Sequence, residues 1–106
     1  MLAKLRALFP ASERGRVLAT LDAYEGDAPE GRARVQLAIL KLAEGQADRV
    51  PGLVELAALD FRDVVAPAEY PRQLALGFTG LGALPGAERR RVEREDHQQY
   101  LAWLAS

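Results

Sequence analysis

DFRDVVAPAEYPRQ, residues 60–73, sets Asp60, Asp63 and Glu69 beside Arg62, Arg72 and Tyr70 between two apolar runs. Asp60 and Asp63 are three residues apart, so a continuing helix places their carboxylates on adjoining turns of one face. Two close carboxylates can bind a divalent cation or raise one another's pKa. The same side chains can also cap free amides at a helix break, with Arg62 or Arg72 paired to Asp63 or Glu69. The capping reading asks for less, because a metal site needs Glu69 or a further ligand folded back beside the pair. Tyr70, held between Glu69 and Pro71, offers a rigid ring with a hydroxyl tip, suited to a groove or to the edge of a core.

His97 is the one side chain whose ordinary pKa lies near neutrality, which makes it the acid–base candidate. No serine stands in a nucleophile context and the chain has no cysteine. No catalytic set, metal site or cofactor is therefore assigned. Tyr100 and Trp103, with Leu101 and Leu104, form either core or a partner surface near the end of the sequence.

Two other motifs carry less chemistry. Gly77, Gly80 and Gly82 read G-x-x-G-x-G, which reverses the dinucleotide fingerprint and follows no strand pattern. ERRRVERED, residues 88–96, interleaves four arginines with four acids. Arg89 with Glu93 and Arg91 with Glu95 are i,i+4 pairs, so the segment reads as a solvated helical face rather than a nucleic-acid surface.

The elements that position these residues are all helical. Alanine, leucine, glutamate and arginine dominate, and no segment alternates with the two-residue period of a strand. A short amphipathic helix precedes Pro10, and a second carries Val17, Leu18, Leu21 and Tyr24 on one face, with Gly26 placed to end it. In DAPEGRARVQLAILKLAEG, Asp27 and Glu30 form a capping box, Pro29 suits the first turn and Gly45 terminates. Val35, Ala38, Ile39 and Leu42 make its core stripe. A fourth helix begins near Asp48, as its cap, with Pro51 in the first turn and Leu53, Leu56, Ala57, Phe61, Val64 and Val65 at helical spacing. Pro67 and Pro71 demand a bend. The glycine-rich GFTGLGALPG, residues 77–86, reads as a connector, and the last helix covers residues 87–105.

A length of 106 residues and a net charge of −1 fit one domain with no global pull toward nucleic acid or anionic lipid. Lys4 and Arg6 interrupt the leucines of the N-terminus, so no secretion signal is expected, and no apolar run suits a membrane span. The expectation is a cytoplasmic, all-α protein: a single domain over residues 1–106, folded as a compact irregular or orthogonal bundle of four to five helices. Its expected partner is another protein or a second copy of itself, met through apolar helix faces, with neither nucleic acid nor membrane bound. The alternative is a small-molecule or metal-binding protein, or an enzyme, that uses Asp60, Asp63, Glu69, Tyr70 and His97.

The runs RVQLAILKLAEG and DFRDVVAPAEYP resemble segments of small bacterial all-helical proteins with no assigned activity. The resemblance covers roughly the middle half of the chain. It implies a compact helical fold and supplies no functional residue.

Overall fold

A computed structural model describes residues 1–24 and 29–106. Among these residues there is no strand, and seven α-helices follow in order: α1 (Leu2–Leu8), α2 (Ala11–Asp22), α3 (Pro29–Ala43), α4 (Val50–Leu59), α5 (Arg62–Glu69), α6 (Pro71–Ala83) and α7 (Gly86–Ala105). A 3-10 turn, Ala47–Arg49, leads into α4. The all-helical class is as expected, but seven helices replace the expected four to five. No helix is long and apolar enough to cross a membrane among the described residues.

Two of the extra breaks have local causes. The expected fourth helix is divided at Asp60, whose backbone is extended (φ −157°, ψ 109°). Asp60 turns its carboxylate onto the Arg62 amide at 3.0 Å, an aspartate habit that competes with helical bonding. Tyr70 is likewise non-helical (φ −138°, ψ 62°), as the residue before a proline tends to be, and Pro71 then opens α6. Pro67, by contrast, sits inside α5 without ending it. In so short a helix it removes a single amide donor.

The remaining difference is α6 itself, which makes most of the expected glycine connector helical. Its backbone leaves helical geometry only at Gly77 (φ 70°, ψ 173°), a conformation open essentially to glycine. Gly77→Ala should therefore destabilise α6 by about 1–3 kcal/mol. Gly82→Ala should instead stabilise it by about 0.5–1 kcal/mol, since a Cβ there meets nothing within 4 Å. Paired thermal melts check the opposite signs.

The chain forms two compact units, Met1–Val65 and Ala66–Ser106, with the boundary inside α5. In the first, α1 packs on α2 and α3, and α4 packs on α2 and α3. Leu5, Phe9, Val17, Leu21, Val35, Ala38, Ile39, Leu40 and Val50 are buried. The α3 stripe is centred as expected on Val35, Ala38 and Ile39, but Leu40 is fully buried while Leu42 is half-buried.

Helix ends in this unit are closed by side chains from later helices. Arg14 donates to the carbonyls of Phe9 (2.9 Å) and Arg6 (3.0 Å) at the end of α1. Gln36 and Arg32 of α3 donate to Leu21 (3.0 Å) and Asp22 (2.8 Å) at the end of α2. Gly45, at φ 75°, follows α3 in the left-handed conformation expected of its terminator. The expected roles of Gly26, Asp27 and the Glu30 side chain fall outside the described residues. Asp48 makes no cap: no side-chain bond closes the start of α4, and Asp48 instead forms an exposed ion pair with Arg16 at 3.5 Å. In the second unit α6 packs on α7.

Candidate functional site

Asp60 and Arg62 form a closed local set. The Asp60 carboxylate accepts from the Arg62 backbone amide (3.0 Å), from Nε (3.0 Å) and from Nη2 (2.9 Å). Arg62 pairs with Asp60, a partner the spacing did not suggest, because the break at Asp60 folds the carboxylate forward over the first turn of α5. Asp63 is exposed in that turn, where the helix dipole favours an acid.

The side-chain hydrogen bonds from Arg62, followed by its backbone amide, hold the Asp60 carboxyl below its ordinary value of 3.8. Mutual elevation by two carboxylates is therefore not what Asp60 experiences. A lowered folded pKa contributes stability that is present above 3.8 and is lost as pH falls through the folded midpoint. An NMR titration should place the Asp60 midpoint below 3.8, and Arg62→Ala should move it upward. An unmoved midpoint in that variant would contradict the assigned cause.

The second cluster lies in the Ala66–Ser106 unit. Glu69, Tyr70, Gln73, Glu93, Asp96, His97 and Tyr100 line a polar depression of about 140 Å³. Glu93, Asp96, His97 and Tyr100 share one side of α7 by their three- and four-residue spacing, while Glu69, Tyr70 and Gln73 come from the α5–α6 link. Of the residues singled out from sequence, Glu69, Tyr70, His97 and Tyr100 are brought together here. Trp103 stacks against Tyr100 with ring centroids 5.7 Å apart and planes at 29°. Asp60, Arg62 and Asp63 belong to the other unit. Among the described residues no group of three or more His, Asp or Glu side chains is placed to hold a metal ion.

Asp96 and Gln99 organise this region. Asp96 is 1% exposed, and its two carboxylate oxygens accept from the amides of Arg72 and Gln73, each at 3.0 Å. These amides belong to the first turn of α6, which has no cap of its own. Gln99 donates to the carbonyls of Ala68 (3.3 Å) and Glu69 (3.2 Å) at the end of α5. One helix therefore supplies an acceptor for free amides and a donor for free carbonyls on either side of Tyr70. Arg72, expected to pair with Asp63 or Glu69, is paired with Glu95, which also lies 3.8 Å from Arg91. The 88–96 segment is thus only partly a solvated face.

Tyr70, just before α6, and Gln73, Leu74, Gly77, Phe78 and Leu81 of α6 line an apolar groove of about 200 Å³. No residue of α6 is buried. Leu74 is 51%, Leu76 41% and Phe78 99% exposed. The only charged residue of this helix is Arg72, in its first turn. Tyr70 contributes to both the polar depression and the apolar groove. Near the end of α7, Leu101 is also exposed, whereas Tyr100, Trp103 and Leu104 are half-buried.

Comparison with known proteins finds no matching family, no similar curated protein and no similar solved structure.

Proposed function

We propose that this chain is a non-enzymatic protein-interaction module of the cytoplasm and that it docks through the apolar face of α6. The observation that carries this reading is that α6, two short helical pieces joined by a kink at Gly77, buries none of its residues while exposing Leu74, Leu76 and Phe78. Helical pieces this short are marginal by themselves in water, and Gly80 and Gly82 weaken the second further. The contact of α6 with α7 leaves the outer apolar face uncovered. Burying one large apolar side chain is worth about 1.5–3 kcal/mol, so a partner surface over Phe78 and Leu74 stabilises the helix and the complex together. The near absence of charge matches the composition of interface centres.

A photoreactive phenylalanine analogue at position 78, expressed in cells, tests the reading. Irradiation should link it to a polypeptide, whereas the same analogue at Glu88, on the charged part of α7, should give no such product. No product at position 78, or equal products at both positions, would dismiss the docking face.

The convergence of Glu69, Tyr70 and His97 with Glu93 and Tyr100 favours a second reading, a small-ligand site. Two carboxylates and two tyrosine rings suit an organic cation. NMR signals of the His97 ring should shift when alkylamines or guanidinium compounds are added at millimolar concentration. Unchanged signals throughout such a panel would remove this reading.

A further inference from the structure

We infer that the groove between α1 and α2 binds a free single-chain amphiphile with a carboxylate head, a medium-chain fatty acid, independently of the α6 face. The groove lies within the Met1–Val65 unit and holds about 340 Å³. Ligand pockets begin at roughly 300 Å³, a size that neither depression beside Tyr70 reaches. Leu2, Leu5 and Arg6 of α1 line it, with Arg14, Gly15 and Leu18 of α2 opposite. Within each set the residues stand three and four apart, so each is one face of its helix. Gly15 leaves the trough open, with nothing within 4 Å of where a Cβ would stand.

Charge identifies the head group. Both charged residues of the lining are arginines. Arg14 is held against α1 by its bonds to the carbonyls of Phe9 (2.9 Å) and Arg6 (3.0 Å), which brings the second cation to the residue that bears the first. Among the described residues no hydrogen bond or ion pair engages the Arg6 side chain or Arg14 Nη1, and no acid lines the groove. Glu13, the nearest acid in sequence, falls on the other side of α2 by the helical period. Two like charges with no acid between them favour an anion, and the guanidinium fork matches the two oxygens of a carboxylate.

The apolar walls identify the tail. Leading away from the Phe9–Pro10 junction, both helices give arginine first and leucine beyond: Arg6, Leu5 and Leu2 on one, Arg14 and Leu18 on the other. A carboxylate at the arginines therefore leaves an alkyl chain running between the leucines, past the gap at Gly15. Leu5 is buried and floors the groove, whereas Leu2 is 55% exposed and has apolar area still to cover. Each methylene buried there should strengthen binding about fourfold. An acidic peptide would bring a polar backbone that leucine walls cannot satisfy.

Titration of the purified full chain with sodium dodecanoate below its micelle concentration, followed by amide and methyl NMR, is the test. Saturable shifts should centre on Leu2, Leu5, Arg14, Gly15 and Leu18, with hexanoate binding more weakly and acetate leaving the spectrum unchanged. Dodecyltrimethylammonium, the same tail under the opposite charge, should not bind there. Arg6→Gln should weaken dodecanoate binding about tenfold or more. Gly15→Leu, which fills the trough and favours the helix, should abolish it. Both positions are exposed, so signals away from the groove should keep their folded positions. Absence of saturable shifts, shifts centred on another surface, equal binding of the cationic amphiphile, or full affinity in either variant overturns the inference. Binding of phosphatidylglycerol vesicles or of a glutamate-rich peptide without binding of free dodecanoate overturns it too, because the groove would then serve a membrane or an acidic protein.

Discussion

Ile39→Ala should lower the unfolding free energy by about 2–5 kcal/mol in urea titrations followed by circular dichroism. Ile39 is 0% exposed, as are its neighbours Ala38 and Leu40, so α3 is covered over far more than one face. Truncation removes buried methyl groups and leaves a cavity that packed helices refill only in part. The same reasoning orders two leucines on this helix. Leu40→Ala should cost more than Leu42→Ala, because Leu40 is fully buried and Leu42 is half-buried. A loss below about 0.5 kcal/mol for Ile39→Ala, or the reverse order of the leucines, would mean that another helix forms the centre of this unit.

Asp96→Ala should cost about 1.5–3 kcal/mol, the range for hydrogen bonds to a charged group. The loss has two parts. The amides of Arg72 and Gln73 lose their acceptors, and α6 loses an anion at the positive end of its dipole. Amide exchange should accelerate first at Arg72 and Gln73 and then through the following turn. Asp96→Asn should recover part of the stability, since a carboxamide offers one carbonyl oxygen in place of two charged ones. Gln99→Ala should be milder, near 1 kcal/mol, because its bonds are neutral and longer. Unchanged exchange at Arg72 and Gln73 in Asp96→Ala would show that the cap contributes nothing.

Much of this region was legible in part. The break near Pro71 and the capping role of Asp60 follow from residue type and spacing. Asp96 was hidden because ERRRVERED reads as alternating surface charge. A finer signal was present: Val92, Asp96, Gln99 and Trp103 recur at four, three and four residues, the spacing of an apolar helix stripe, with two polar members in its middle. Polar residues on such a stripe are candidates for tertiary capping. The exposed apolar side of α6 was missed for a different reason. Glycine propensity alone made residues 77–86 a connector, whereas contact with α7 allows most of that stretch to be helical.

By itself the amino-acid sequence determined the all-helical class, the helix stop at Gly45, the proline in the first turn of α4, and the bend before Pro71. Each follows from the steric and hydrogen-bonding limits of a few neighbouring residues, which act before any distant contact forms. Only the tertiary structure decided which carboxylate serves which amide, that Asp96 is buried, and that Glu69, Tyr70, His97 and Tyr100 share one depression. It also decided that α6 carries an uncovered apolar face. Those outcomes depend on segments far apart in sequence: Asp96 lies 23 and 24 residues from the amides it caps, and Gln99 lies 30 and 31 from its carbonyls. Side-chain burial and partner choice are properties of how helices meet, and the same local pattern can serve a solvated face or a closed one until the neighbouring helix is in place.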